Sequence, residues 1–383
     1  MNIKDMKINL IIAPISFSVG DAGSNRLRYL TNEIRLNTNI EITNLILSKD
    51  INSTEEVYYQ DNVSYSKIIN NKYWASLLNL KKIYKLLKEK KNADKNIIYY
   101  YSVNFNPFDF FFFIIAKYCG YKIIFDEVEL FYTKLSKSEG SGFLKVLIIS
   151  VNQYLIKFIS DHTFCISTRI QNYYNLKSSI LPICYDSKLL ELKRNTINTS
   201  VQILYSGSFA EKDNVSSLLS VFKNLKTKGI KFNFTLSGKV PVTLVNDYNI
   251  KLQEFDLSDC VSFVGLLSLD DYQQLLVNSD ICIVARTNSL FANTGFPFKL
   301  GEYLITQNAV IVSDIGDIRK YINDEDAVII TPDSQMKLEE AIEQLILDVD
   351  YRTKIAYNGK LKAMRFFNPI TQAKQIINIL ESL

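Results

Sequence analysis

Residues 293–304, NTGFPFKLGEYL, set Lys299 and Glu302 three positions apart, which puts them on one face of a helix. Just ahead, Gly295 permits an unusual backbone turn and Pro297 suits a first helical position. The helix would turn its free N–H groups and positive end toward a charged ligand. A carboxylate there is a poor anion ligand but a good acceptor for two neighbouring hydroxyls, such as those of a ribose. A second stretch, YSGSFAEKDNVSSLL (205–219), turns at Gly207 and brings Lys212 to the mouth of a helix, where a lysine can neutralise a diphosphate. An ordinary surface lysine at a helix start has the same signature. A third, PISFSVGDAGSNRLRYL (14–30), offers Gly20 and Gly23 for a tight loop, with a helix from about Ser24 that suits phosphate or sugar. A plain strand–helix turn would look the same. Its glycine spacing is not GxGxxG and no acid follows at the right distance, so a nicotinamide dinucleotide fits poorly.

Strands must hold these stretches. Apolar, β-branched runs recur at 8–13, 42–47, 97–101, 121–125 and 163–166. They recur again at 201–205, 232–236, 261–264, 281–285, 309–313 and 327–330. Helix-length segments separate them, which is the pattern of buried parallel strands. Seen twice, it predicts an α/β chain of two doubly wound, Rossmann-like domains facing each other across a cleft. The expected division is residues 1–185, a polar linker at 186–200, residues 201–360, and a C-terminal helix at 361–383 packing back on the first domain. Ligands of such sheets bind beyond the carboxyl ends of the strands, and all three stretches follow a strand.

With 383 residues, 47% hydrophobic and 22% charged, the chain reads as an ordinary globular protein. Its five cysteines lie far apart with no CxxC, which predicts free thiols in a reducing compartment and neither disulfides nor a zinc site. The apolar run near the N-terminus is too short for a signal peptide, so a cytoplasmic protein is expected. The net charge of +4 is uneven, because residues 1–190 carry 24 Lys and Arg against 17 Asp and Glu. The excess peaks at 81–95, with seven lysines against two acids. That run is either a solvated helix face or a basic surface for an anionic membrane or an acidic acceptor. It has no interleaved aromatic residues of the nucleic-acid-binding kind, and nucleic acid is not expected as a partner. In the apolar segment 142–160, Lys145, Asn152, Gln153 and Lys157 fall within an arc of about 140°, leaving a wide apolar face opposite. A buried domain helix is expected there, with in-plane membrane contact as the alternative. His162, the single histidine, precedes the run 163–166 at its amino end, where a structural role is expected, against a Ser-His-Asp hydrolase or a His-ligated metal. The acids at 324–326 fall in a turn and read as solvated.

The run GFPFKLGEYLITQNAVIVSDIGDIRKYI (295–322) resembles the donor-binding segment of the two-Rossmann-domain (GT-B) glycosyltransferases, especially the retaining family-four type. YSGSFAEKDNVSSLL resembles their diphosphate-loop segment, and VSFVGLLSLDDYQQLLVNSDI (261–281) their base-side strand and helix. SDHTFCISTRIQNYY (160–174) resembles the last strand and helix of their N-terminal domain. The likeness covers nearly the whole chain and is strongest over 295–322. It implies that Glu302 accepts the ribose hydroxyls and that Lys212 clamps the diphosphate beside Gly207 and Ser208. The backbone of Gly295, Phe296, Pro297 and Phe298 would hold the transferred sugar and phosphates, and that of Gly265 to Leu267 the base. Gly20 and Gly23 would close over the diphosphate. Thr294 stands where the family has the first glutamate of a pair, and Ser208 where it has an arginine; Lys299 or Arg286 would replace the missing cation. Such enzymes often turn a His or an acid of the first domain toward the sugar, which makes Asp126 and Glu127, with Glu129 nearby, the catalytic candidates.

The resemblance therefore implies transfer of a sugar from a nucleoside diphosphate sugar, a UDP-sugar favoured, to a glycan or lipid-linked acceptor hydroxyl. Retention of configuration, no metal and no further cofactor go with it, as does a place in bacterial surface polysaccharide or glycolipid assembly. The basic first domain suits a peripheral position on the inner face of the plasma membrane. A nucleotide-sugar epimerase on the same architecture and a non-catalytic, nucleotide-sugar-binding scaffold are the alternative readings.

Overall fold

A computed structural model of the chain describes residues 7–13, 22–48, 57–60, 63–69, 80–101, 109–133, 141–174, 177–195, 200–207, 209, 215–240 and 242–383. The chain divides into two compact units, one of Met1–Ser18, Leu30–Pro182 and Ile370–Leu383, the other of Val19–Tyr29 and Ile183–Pro369.

Unit one holds β1 (Ile8–Ala13), β2 (Glu41–Ser48), β3 (Val57–Gln60), β4 (Val63–Ile69), β5 (Lys95–Tyr101), β6 (Lys122–Glu127), β7 (His162–Cys165) and β8 (Ser178–Ile180). They form one sheet in the order β3-β4-β2-β1-β5-β6-β7-β8, parallel throughout except for the β3–β4 pair. β3, β4 and β8 are not among the predicted runs. Their sequences, VYYQ, VSYSKII and SSI, mix polar residues into short segments and lack the continuous apolar signal of the central strands. The central strands are the core: Ile97, Ile98, Ile123, Ile124 and Phe125 are fully buried. The Tyr100 and Phe125 rings pack edge-on against Phe113 of the helix Asp109–Tyr118.

Right-handed crossovers fix which face each helix takes. The steps β4 to β5, β5 to β6 and β6 to β7 all run in one direction across the sheet. Their helices, Leu80–Lys90, Asp109–Tyr118 and Ser141–Ile159, therefore form one layer, and the part of the helix Ala22–Asn37 that belongs to unit one, on the β1 to β2 step, takes the opposite face. Within the layer the Tyr84 and Tyr118 rings meet at 6.2 Å.

The helix Ser141–Ile159 departs from the expectation of burial. Its inward residues are Ile149, Asn152, Gln153 and Ile156, so two of the polar positions face the core. Gln153 explains the inversion. Its amide donates to Glu127 Oε2 (2.6 Å) and the Glu129 carbonyl (2.7 Å), and its oxygen accepts from Phe131 N (3.0 Å). The wide apolar side is left outward.

Unit two holds β9 (Val201–Ser206), β10 (Phe232–Ser237), β11 (Val261–Gly265), β12 (Ile281–Val284), β13 (Ala309–Ser313) and β14 (Val328–Ile330). All are parallel, in the order β11-β10-β9-β12-β13-β14, the doubly wound arrangement with its reversal between β9 and β12. Those two strands pair only at Ile203 with Ile281 and Leu204 with Cys282, and then separate. Tyr303 fills the gap: its hydroxyl accepts from Ser206 N (3.0 Å) and donates to the Ser206 carbonyl (3.3 Å). Tyr303 comes from the helix Lys299–Ile305, which packs on the helix Val349–Phe366. At Gly359 in the latter, a β-carbon would stand 2.6 Å from both the Asp326 carbonyl and Leu304 Cδ2, so only glycine fits.

The segment read as a linker is fastened to unit two over its described part. Asp186 caps the short turn Ser187–Leu190 and accepts from Gln273 Nε2 (2.7 Å). Arg194 reaches the Ser279 carbonyl (2.6 Å) and pairs with Asp280 (2.8 Å). The last helix, Pro369–Ser382, lies almost wholly in unit one, where Gln375 donates to the Ile180 carbonyl (2.9 Å).

Candidate active site

The carboxyl ends of β9, β10 and β11 finish in glycines joined by backbone bonds. Gly207 N donates to the Ser237 carbonyl (3.0 Å) and Gly238 N to the Gly265 carbonyl (2.8 Å). Gly238 has φ +132° and its β-carbon would strike the Gly207 carbonyl, so the loop closes only with glycine there. Sequence reading passed over Gly238, although Ser-Gly directly after a strand was the available signal. Gly265 has φ +71°, and Leu267 follows it half-buried, ahead of the Ser268 cap of the helix Leu269–Asn278. Ser208 and Lys212, like Gly20, lie outside the described residues. Gly23 is buried in the first turn of the helix Ala22–Asn37, so that helix begins before Ser24 and Gly23 is not part of a loop.

Beyond β12, Ser313 grips the Arg286 backbone on both sides, accepting from its N–H (2.8 Å) and donating to its carbonyl (3.0 Å). The short helix Leu290–Thr294 follows, and Thr294 is fully buried with its hydroxyl on the Phe291 carbonyl (3.0 Å). Gly295 has φ −83° and ψ −170°, extended backbone open to any residue, so the predicted unusual turn is not made there. Phe296 anchors the turn by edge-on packing against Tyr321 and Phe367 at 5.5 and 5.8 Å. Pro297 is buried and stands two residues ahead of the helix Lys299–Ile305, not at its first position. Its carbonyl accepts from Leu300 N (3.1 Å), an i to i+3 turn that leads into the helix. Phe298 and Lys299 are half-buried.

Glu302 is the centre of this region. Only 7% exposed, it accepts at Oε1 from the Tyr29 hydroxyl (3.2 Å) and at Oε2 from the Tyr272 hydroxyl (2.8 Å). Lys299 Nζ donates to the Tyr272 hydroxyl (3.0 Å) and sits 4.2 Å from the centre of its ring. Burial first, and then the charge of Glu302, push both phenols well above their ordinary pKa, so each stays a hydrogen-bond donor. A carboxylate has about four acceptor positions, so each oxygen keeps capacity for one more hydroxyl. Asn25, Arg26, Tyr29, Cys184, Phe298, Lys299 and Glu302 line a cavity of about 20 Å³ here, room for roughly one water. Sequence reading had not singled out Tyr29, Tyr272 or Arg26; nothing local marks a tyrosine whose partner lies 273 or 30 residues away. Arg286 lines a different cavity, with Ser313 and Asp333, so the structure does not bring it and Lys299 to the same cavity.

In unit one, Asp126 and Glu127 end β6 with no exposure. Asp126 accepts from the Tyr99 hydroxyl (2.8 Å), and Glu127 from Gln153. Burial, with Glu127 as the next cause, raises the Tyr174 phenol well above its usual pKa. His162 opens β7 at its amino end and bonds to Ser179 Oγ (2.9 Å). In the acidic turn, Asp326 is not solvated: it is buried, pairs with Lys362 (3.2 Å) and accepts from Asn323 N (2.9 Å). Among the described residues no group of three His, Cys, Asp or Glu side chains is placed to hold a metal, and the five cysteines are unbridged.

Residues 189–362 match the family model described as glycosyl transferases group 1. Comparison with curated proteins finds no match. Among solved structures, HepE from Anabaena in complex with UDP-glucose aligns at TM-score 0.74 with 16% identity, over 99% of this chain and 100% of that one. Sucrose-phosphate synthase from Thermosynechococcus elongatus aligns at 0.73 with 15% identity, over 98% of each chain. A glycosyltransferase from Rickettsia africae aligns at 0.71 with 14% identity, over 99% of this chain and 98% of that one. The fold is that of these proteins, two Rossmann-like units of the GT-B kind.

Proposed function

Because the chain carries the glycosyl transferases group 1 match over residues 189–362, we propose that it moves a sugar from a nucleoside diphosphate sugar to an acceptor hydroxyl. The observation that carries this reading is Glu302, a carboxylate held nearly out of solvent with both oxygens already accepting hydroxyls. A ribose offers two such hydroxyls side by side. HepE is solved with UDP-glucose, and a UDP-sugar is the proposed donor here. Glu302 would hold the ribose, with the Gly265–Leu267 backbone at the base. Lys212 would meet the charge that grows on the leaving diphosphate as the glycosidic bond breaks, a preorganised contact of the kind that contributes a few kcal/mol. Lys299 would act through Tyr272, orienting its hydroxyl toward Glu302. The finer proposal is a glycan or lipid-linked acceptor in surface polysaccharide assembly, with retention of configuration.

Calorimetry with UDP on the wild-type chain and on Glu302→Gln tests the donor site. Loss of affinity in the variant supports it, and equal affinity removes Glu302 from the site. Incubation with UDP-sugars alone separates the remaining readings. A transferase hydrolyses its donor slowly, an epimerase changes the sugar, and a scaffold leaves it intact.

A further inference from the structure

The outward side of the helix Ser141–Ile159 is apolar along its length. Phe143, Leu147, Val151, Tyr154 and Phe158 recur at helical spacing, with Leu144 beside them, and all six are exposed, Leu144 at 59% and Phe158 at 72%. The next helix of the same layer, Asp109–Tyr118, adds Ile114 and Tyr118, the latter 80% exposed. The third, Leu80–Lys90, buries Ile83 and Leu87 and turns Lys81, Lys82, Lys85 and Lys88 to solvent. Only one acid, Glu89, stands on that helix. One layer of unit one therefore combines an apolar stripe about 28 Å long with a block of positive charge.

We propose that this layer lies on an anionic lipid bilayer, with Ser141–Ile159 in the plane of the interface and the lysines of Leu80–Lys90 among the lipid phosphates. Two physical arguments select this occupant. A bilayer is apolar within and negative at its surface, and so complements both parts of the layer. A second copy of the chain meeting the same face would bring a second lysine block to the contact and no matching block of acids, which opposes association. A spanning arrangement is disfavoured by Gln153. Its three bonds to Glu127, the Glu129 carbonyl and Phe131 N tie the inward side of the helix to the core and would all be broken. The surface belongs to unit one and does not depend on the donor reading.

Co-sedimentation of the full chain with phosphatidylcholine vesicles, with and without phosphatidylglycerol, tests the proposal. Binding is expected only with phosphatidylglycerol, and weaker as salt rises from about 0.1 M to about 1 M, where the screening length falls from about 10 to about 3 Å. Exchanging Leu144, Val151 and Phe158 for Ser should lower the bound fraction by more than about tenfold. Exchanging Lys81, Lys82, Lys85 and Lys88 for Gln should lower it by a similar factor and abolish the salt dependence. All seven positions are exposed, and unchanged melting curves would show that both variants fold. Absence of sedimentation, equal binding to neutral vesicles, or wild-type binding by the apolar variant would each overturn the proposal. A concentration-dependent dimer lost in the same variants would overturn it too, giving the face to a second copy.

Discussion

Each unit buries carboxylates against tyrosine, and the two cases differ in what could replace the partner. Glu302 of unit two receives two phenol hydroxyls and borders a small cavity. Asp126 and Glu127 of unit one also receive a phenol and an amide, yet have no exposure at all. The amide on Glu127 belongs to Gln153, which also holds two backbone groups, so displacing it would loosen a helix. A phenol on Glu302 presents the same group that a sugar presents. Burial and hydrogen bonding therefore do not by themselves distinguish a binding carboxylate from a structural one. An exchangeable partner together with access does, since Asp126 also holds a phenol but has no exposure.

The largest effect is expected at Lys212, where Lys212→Ala should lower kcat by about 10²-fold while the affinity for free uridine stays near wild type, since the proposed contact with the diphosphate would strengthen as charge develops. Steady-state kinetics with the true donor checks this, and a wild-type kcat would send the search for the diphosphate cation to Lys299 or Arg286. Next comes Glu302→Gln, which should weaken UDP binding by about tenfold or more, the equivalent of one charge-assisted hydrogen bond.

Glu127→Ala should behave in the opposite way. It removes one of the two acceptors of the Gln153 amide and should cost about 1–3 kcal/mol in denaturant unfolding, with UDP affinity within about twofold of wild type. If turnover vanished while stability held, Glu127 would be a reacting group and the comparison would fail. Tyr272→Phe removes from Glu302 the hydroxyl that a ribose hydroxyl would replace, so UDP binding should tighten, by up to about fivefold, the order of one net hydrogen bond.

The smallest effect concerns pH. Burial holds the His162 imidazole below its usual pKa of about 6.5, so the folded state favours the neutral ring. The unfolded chain binds the proton more readily, so this contribution is complete above about pH 6.5 and is lost as the pH falls below it. His162→Gln should flatten the fall in stability between about pH 7 and about pH 5. A slope unchanged from wild type would mean that another group titrates there.

The central strands of the first sheet and all six of the second were legible in the amino-acid sequence, because a strand buried on two faces must be continuously apolar and leaves a mark that needs no partner to be read. The sequence also marked the glycine at the end of β9, and Lys299 and Glu302 one turn apart. It did not reveal β3, β4 or β8, whose polar residues give no periodic signal, nor that Gly295 is extended and Pro297 precedes its helix. Those are set by Phe296 docking against Tyr321 and Phe367, a contact across tens of residues. Which side of Ser141–Ile159 faces inward is set by contacts with the rest of the fold. Hydropathy ranks side chains one at a time, whereas Gln153 is buried because Glu127, Glu129 and Phe131 satisfy it, and a satisfied polar group costs little to bury. The same holds for Glu302, since its two tyrosines come from helices distant in the chain and meet at one carboxylate only when the fold brings them there.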